Sequence, residues 1–130
     1  MPLLDDRNKE ISERFDLLGD SFSQCDYLMT LGMSRPTVPQ IRTDQYRIGG
    51  CKTAIWIRTG LSDQTVLFET DSDSLLVKGV LSLFDELYAG ASAEEIRKYP
   101  PLFLDHISED VIYREIKTNG LQKCYLKMQL

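Results

Sequence analysis

Apolar positions recur along this chain at helical spacing near both ends and at strand spacing in the middle. Ile11, Phe15 and Leu18 stand four and three residues apart, which predicts an amphipathic helix over 8–18, ended by Gly19. Asp20 or Ser21 can cap a second helix that places Phe22, Cys25, Leu28, Met29 and Gly32 on one face. From Met33 to Gln45 the pattern dissolves, and Pro36 and Pro39 mark an ordered, extended loop. Ala54 to Thr59 and Thr65 to Thr70 are β-branched and aromatic, and the turn-forming 60–64 between them predicts a β-hairpin. Tyr46 to Ile48 can add a third strand.

The period then changes. Leu76, Val77, Val80, Leu81, Phe84, Leu87 and Tyr88 form one broad apolar stripe, a helix ended by Gly90, with Asp71 to Asp73 available as caps. Ser92 and Glu95 have the spacing of a capping box, opening a short helix before Pro100 and Pro101. A helical turn is expected near 102–107. A closing helix should start at about Thr118, with Leu121, Cys124, Tyr125 and Met128 facing inward. Helices, a small antiparallel sheet, then helices again: the expected class is α+β, with the sheet packed between N- and C-terminal helices.

Composition narrows the function classes. At 130 residues, with 42% hydrophobic content, one domain over 1–130 is expected. The formal net charge of −5 speaks against a nucleic-acid or anionic-membrane partner, since both call for a basic face. The longest apolar-rich run, Leu75 to Leu87, is interrupted by Lys78, Asp85 and Glu86 and is too short to cross a bilayer. "MPLLDDRNKE" has no apolar core behind basic residues, so no secretory signal is expected. Three widely spaced cysteines make no disulfide framework, which fits a reducing cytoplasm with free thiols.

Cys51 is the residue that invites chemistry. Gly49 and Gly50 precede it and free the backbone for a tight turn, while Arg47, Lys52 and Arg58 lie close enough in sequence to favour a thiolate. The residues alone leave two readings open: a reactive thiol on a turn, or a small hydrophobe tucked beneath one. Cys25 and Cys124 fall on apolar helix faces. Together with His106 the three thiols would suit a metal by type, but zinc knuckle spacing is absent and no metal site is expected. No phosphate-binding glycine motif exists either.

Two stretches at the right separation, "RIGGCKTAIWI" and "DSDSLLVKGVLSLF", resemble the SufE family of sulfur-acceptor proteins. Gly50, Cys51, Thr53 and Trp56 fit its Gly-Cys-x-Ser/Thr-x-x-Trp turn and strand; Ser72, Asp73, Val77, Lys78 and Gly79 fit its Ser-Asp-x-x-x-Val-Lys-Gly helix opening. "LGMSRPTVPQIRTDQYRI" and "AGASAEEI" also match in register.

The resemblance implies the fold of iron–sulfur scaffold proteins and an acceptor thiol at Cys51. That thiol would take persulfide sulfur from a pyridoxal-phosphate cysteine desulfurase, stimulate that enzyme, and pass the sulfur to a cluster scaffold. It implies no cofactor of the protein's own. Gly49, Gly50, Lys52, Thr53, Asp73 and Lys117 would meet the partner. Lys117, in "YREIKTNGL", stands where the family carries arginine, keeping the charge but not the bidentate fork. The alternatives are a cluster scaffold and a thiol redox sensor, each using Cys51.

Overall fold

The computed structural model describes residues 2–50 and 52–129, with the side chain of Pro2 excepted. Helix α1 (Pro2–Leu18) buries Leu4, Ile11 and Phe15 and runs into α2 (Ser21–Met33), which Asp20 caps by accepting the Ser23 N–H. A short 3-10 turn (Pro39–Ile41) follows within an otherwise irregular passage. Strands β1 (Ile55–Ser62) and β2 (Thr65–Ser72) pair antiparallel from Ile55 opposite Ser72 to Ser62 opposite Thr65. Helix α3 (Leu75–Tyr88) is the most buried element, and α4 (Ala93–Lys98) opens with the expected capping box of Ser92 and Glu95. A 3-10 turn (Leu102–His106) leads to one helical passage made of α5 (Arg114–Ile116), a π turn (Lys117–Leu121) and α6 (Gln122–Met128). The class is α+β, as the residue pattern implies.

Several details differ from the pattern. The hairpin loop is only Asp63-Gln64, with Asp63 at φ 56°, because the strands stay paired through Gly60 to Ser62. Tyr46 to Ile48 lies beside β1 through an Arg47–Trp56 bridge without extending into a full strand. The closing helix begins at Arg114, so Lys117 lies within it rather than ahead of it.

The inward face of α2 carries Gln24, Leu28 and Gly32, while Phe22 is 83% exposed. Gln24 turns the helix that way. Its side-chain oxygen accepts the Ser108 N–H at 2.8 Å and its amide donates to the His106 carbonyl, so a polar residue takes the position an apolar count gives to Phe22.

A chain of rings runs through the core: Phe15 stacks on Phe103 at 6.5 Å, Phe103 meets Phe84 edge-on at 5.6 Å, and Phe84 leads to Tyr88 and Tyr125. The two tyrosine hydroxyls are satisfied by backbone carbonyls, Tyr88 by Tyr99 and Tyr125 by Ile96.

Helices α2 and α3 cross at backbone contact. A Cβ on Gly32 would lie 2.1 Å from the Leu75 carbonyl oxygen, and one on Gly79 would lie 2.2 Å from that of Leu28. This crossing sets where α3 begins, and β2 delivers the chain directly to that point.

Gly79→Ala tests the crossing. Alanine gains roughly 1 kcal/mol in helix propensity, but overpacking against rigid backbone costs typically about 1–3 kcal/mol or more. The expected net result is a destabilised protein, read as a lower urea midpoint with unchanged slope.

Candidate functional site

The conspicuous loop of this fold spans residues 49–53, between the 46–48 segment and β1. Its entry is tied down where the Ile48 N–H donates to the Ile55 carbonyl at 2.8 Å and the Ile57 N–H to the Tyr46 carbonyl at 2.9 Å. Gly50 has φ +83°, a conformation that glycine adopts without the strain a side chain would bring. Gly49 and Lys52 are exposed and Thr53 is half-buried. Cys51 itself lies outside the described residues, so the site is built from what surrounds it in the chain.

The exit of the loop is held by the end of β2. Asp73 Oδ1 accepts the Ala54 N–H at 3.1 Å, the Asp73 N–H donates to the Ala54 carbonyl, and Ser72 Oγ donates to the same carbonyl at 2.7 Å. Asp73 is therefore a clamp on the loop. The cap of α3 is Ser74, whose hydroxyl accepts the Val77 N–H, and not the aspartates that the residue order offered.

Beneath the clamp sits Asp71, its side chain fully buried. It accepts from the Val38 N–H at 2.9 Å, Arg42 Nε at 2.8 Å and its neighbour Ser72 N–H at 2.8 Å, with Lys78 Nζ at 3.8 Å. The Arg42 guanidinium also donates to the Ser72 carbonyl and lies 4.8 Å from the centre of the Trp56 ring. Burial alone would raise an aspartate's pKa; the hydrogen bonds from Arg42, Val38 and Ser72 outweigh it and hold Asp71 below its ordinary 3.8.

On the other side of the loop, Lys123 of α6 donates from Nζ to the Gly49 carbonyl at 3.1 Å. Arg47, Ile48, Gly49, Lys123, Leu126 and Lys127 enclose a groove of about 370 Å³ there. Of the basic residues near the thiol in sequence, Arg47 lines this groove, whereas Arg58 is engaged with Glu69 across the hairpin. Lys123 and Lys127 escaped the reading of the residues, although two lysines four apart on the polar face of an amphipathic helix are a visible signal.

Lys117 does not join them. Its Nζ donates to the Ile107 carbonyl and it lines a separate cavity of about 540 Å³ with Gln24, His106, Ser108, Glu109 and Arg114. Burial pulls its pKa below the ordinary lysine value, offset in part by Glu109 and Asp105. The structure thus brings Gly49, Gly50 and Asp73 to one loop and leaves Lys117 at another surface. Cys124 is completely buried and burial pushes its thiol up to about 12; Cys25 is half-buried on α2. His106 pairs with Asp16 at 2.8 Å. Among the described residues no cluster of histidine, cysteine and carboxylate side chains is arranged to hold a metal, and no helix is long and apolar enough to cross a membrane.

Comparison with known proteins meets the same loop-bearing fold. A family model described as SufE, Fe-S metabolism associated domain, matches residues 9–130. An uncharacterized SufE-like protein of Rhizobium meliloti is 25% identical over 87% of this chain and 85% of its own length. A SufE-like protein 1 of Arabidopsis thaliana, named as chloroplastic/mitochondrial, is 27% identical over 93% of this chain but only 33% of its own length. The solution structure of a hypothetical protein from Thermus thermophilus superposes with a TM-score of 0.70 at 20% identity, covering 95% of this chain and 90% of that one.

Replacing Asp71 by Asn tests the buried anchor. Removing a charge that faces Arg42 and Lys78 is expected to cost about 3 kcal/mol, the lower end for breaking a buried ion pair because Asn keeps an acceptor oxygen. The wild-type contribution is present in full above the ordinary value of 3.8 and is lost as pH falls through the lower folded value. Thermal unfolding should therefore show a wild-type advantage that holds at neutral pH and shrinks in acid below that value.

Proposed function

This chain belongs to the SufE family, and within that family's iron–sulfur metabolism we propose that it is a sulfur acceptor whose carrier is Cys51. The observation that supports this most is the loop: Gly50 turning with positive φ, Ala54 clamped by Ser72 and Asp73, and Trp56 all lie in the two motif stretches and meet around one short segment, with Arg42 over the Trp56 ring from outside them. In the proposed step the Cys51 thiolate attacks the outer sulfur of a persulfide on a cysteine desulfurase. The new sulfur–sulfur bond forms on Cys51, the old one breaks, and the desulfurase cysteine leaves as its thiolate. No electrons are gained or lost overall, so the exchange calls for a deprotonated, reachable nucleophile and nothing else. A second exchange hands the sulfur to a cluster scaffold.

Lys123 reaches the Gly49 carbonyl from α6 and Lys52 belongs to the loop itself, and their positive charges favour a thiolate in this neighbourhood. Cys124 makes a poor resolving partner for a redox sensor, because its thiol is sealed in the core and held protonated. The cytoplasm is the compartment we propose, together with a single functional unit over the whole chain. Gly49, Gly50, Lys52, Thr53 and Asp73 form the surface offered to the desulfurase, with Lys117 meeting it from its separate cavity.

Incubating the protein with a cysteine desulfurase, pyridoxal phosphate and cysteine, and then weighing it intact, tests the acceptor. Wild type, Cys25→Ser and Cys124→Ala should each gain about 32 Da, one sulfur atom carried as persulfide. Cys51→Ser should gain none. Sulfur accumulating on a folded Cys51→Ser protein sinks the assignment.

Lys117 has its own test. Lys117→Arg should keep the stimulated desulfurase rate, while Lys117→Ala should lower it several-fold at low ionic strength and less at high, where screening is strong. A Lys117→Ala protein with the wild-type rate at both salts removes Lys117 from the surface.

A further inference from the structure

The groove beside the loop has a one-sided chemistry. Three of its six lining residues, Arg47, Lys123 and Lys127, are cationic, none is acidic, and the protein as a whole carries a net charge of −5. Elsewhere many basic side chains are matched by carboxylates, Arg14 with Glu10 and Glu86, Arg35 with Asp85, Arg58 with Glu69, Arg114 with Glu109, Lys9 with Asp5 and Lys98 with Glu94, while Arg7 and Lys117 donate to backbone carbonyls. Among the described residues no carboxylate pairs with Arg47, Lys123 or Lys127, and the one side-chain hydrogen bond of the three runs from Lys123 to the neutral Gly49 carbonyl. All three are exposed, and Leu126 between the lysines is 63% exposed.

Resting on the sulfur-acceptor reading, we infer that this groove docks an acidic segment of the sulfur donor, with Lys123 as a positioning residue that ties the docked segment to the acceptor loop. Charge complementarity sets the chemistry of the occupant: carboxylates for Arg47, Lys123 and Lys127, and an apolar side chain for Leu126. Continuity with the loop sets its identity. Gly49 is at once a wall of the groove and a residue of the loop, so whatever fills the groove lies within two residues of Cys51 along the chain.

Lys123 is suited to the tie. An ammonium has three donors; one is spent on Gly49, leaving others for a partner carboxylate, and charge-assisted bonds are roughly twice as strong as neutral ones. The amine lies directly against the loop backbone, where a Cβ at position 50 would come within 2.7 Å of Lys123 Nζ.

The test uses the full chain and a pyridoxal-phosphate-loaded cysteine desulfurase of the same organism, with affinity read by calorimetric titration at two ionic strengths. Arg47→Glu and Lys127→Glu should each weaken binding about tenfold at low salt, with the gap to wild type closing at high salt as expected for charge pairing at an interface rim. Lys9→Glu, which changes net charge identically far from the groove in sequence, should bind as wild type. Lys123→Met should weaken binding and also slow the gain of sulfur on Cys51 at saturating protein, and Lys123→Arg should restore both.

Wild-type affinity in Arg47→Glu and Lys127→Glu overturns the inference, as does equal weakening in Lys9→Glu, which would trace the effect to net charge alone. Lys123→Met that weakens binding yet loads sulfur at the wild-type saturating rate overturns the positioning role. A wild-type protein that binds through the groove yet never carries sulfur on Cys51 overturns the acceptor reading and leaves the groove standing.

Discussion

The placement of the loop depends on one buried carboxylate. The side chain of Asp71 is fully buried, and its charge is sustained by four groups that converge on it: two backbone N–H groups, a guanidinium and, at longer range, an ammonium. Those groups come from different parts of the chain. Val38 and Arg42 belong to the irregular passage after α2, Ser72 to the end of β2 and Lys78 to the first turns of α3. The passage after α2 has no ladder to hold it apart from its last residues; Arg35 ties its start to Asp85 and Thr70, Ile41 is buried, and Asp71 fixes Val38 and Arg42. The passage leads directly into Tyr46 to Ile48, the entry of the loop. Through Arg42 the same carboxylate also sets the plane of the Trp56 ring on β1.

The helices and the hairpin were legible because each carries its own period; burial follows that period along α6, whereas on α3 the whole run from Val77 to Leu81 is buried, Lys78 and Gly79 included, and Leu76 is only half-buried. Leu121, Cys124, Tyr125 and Met128 all face the core as their spacing implies. Where reading failed, a polar side chain had found a distant partner. Gln24 is buried by its bonds to residues 106 and 108, which no local pattern records, and Phe22 is exposed in consequence. The aspartates ahead of α3 read as caps by position, but Asp71 Oδ2 and Asp73 Oδ1 accept from chain segments more than fifteen residues away. The candidate site was legible as a motif, which named Gly50 and Asp73. It was not legible as a surface, since Lys123 reaches Gly49 across a separation of 74 residues.

Packing also sorts the thiols. Cys124 and Cys25 have the same side chain as Cys51, yet one is enclosed by apolar neighbours that oppose its ionisation and the other is partly covered on α2. On the proposed sulfur-acceptor reading, selectivity for Cys51 therefore needs no special recognition of that residue. It follows from denying solvent and charge to a competitor, which is the ordinary work of a hydrophobic core. The same core supplies the rigid floor against which a short surface segment is displayed.

Because the loop is pinned at Ile48 and again at Ala54, it behaves as a short tether. Only residues 49 to 53 lie between the pins. An extended chain advances roughly 3.3–3.6 Å per residue, so the midpoint of such a segment can stand off its base by no more than about 10 Å. A long flexible arm could search a deep cleft on its own; this one cannot. On the proposed reading, a protein that exchanges sulfur with it has to bring its reactive atom inside that radius, and the two bodies have to fit closely before chemistry begins. The compensation is entropic. So short a segment has little freedom to surrender on docking, so most of the contact energy remains to hold the complex together.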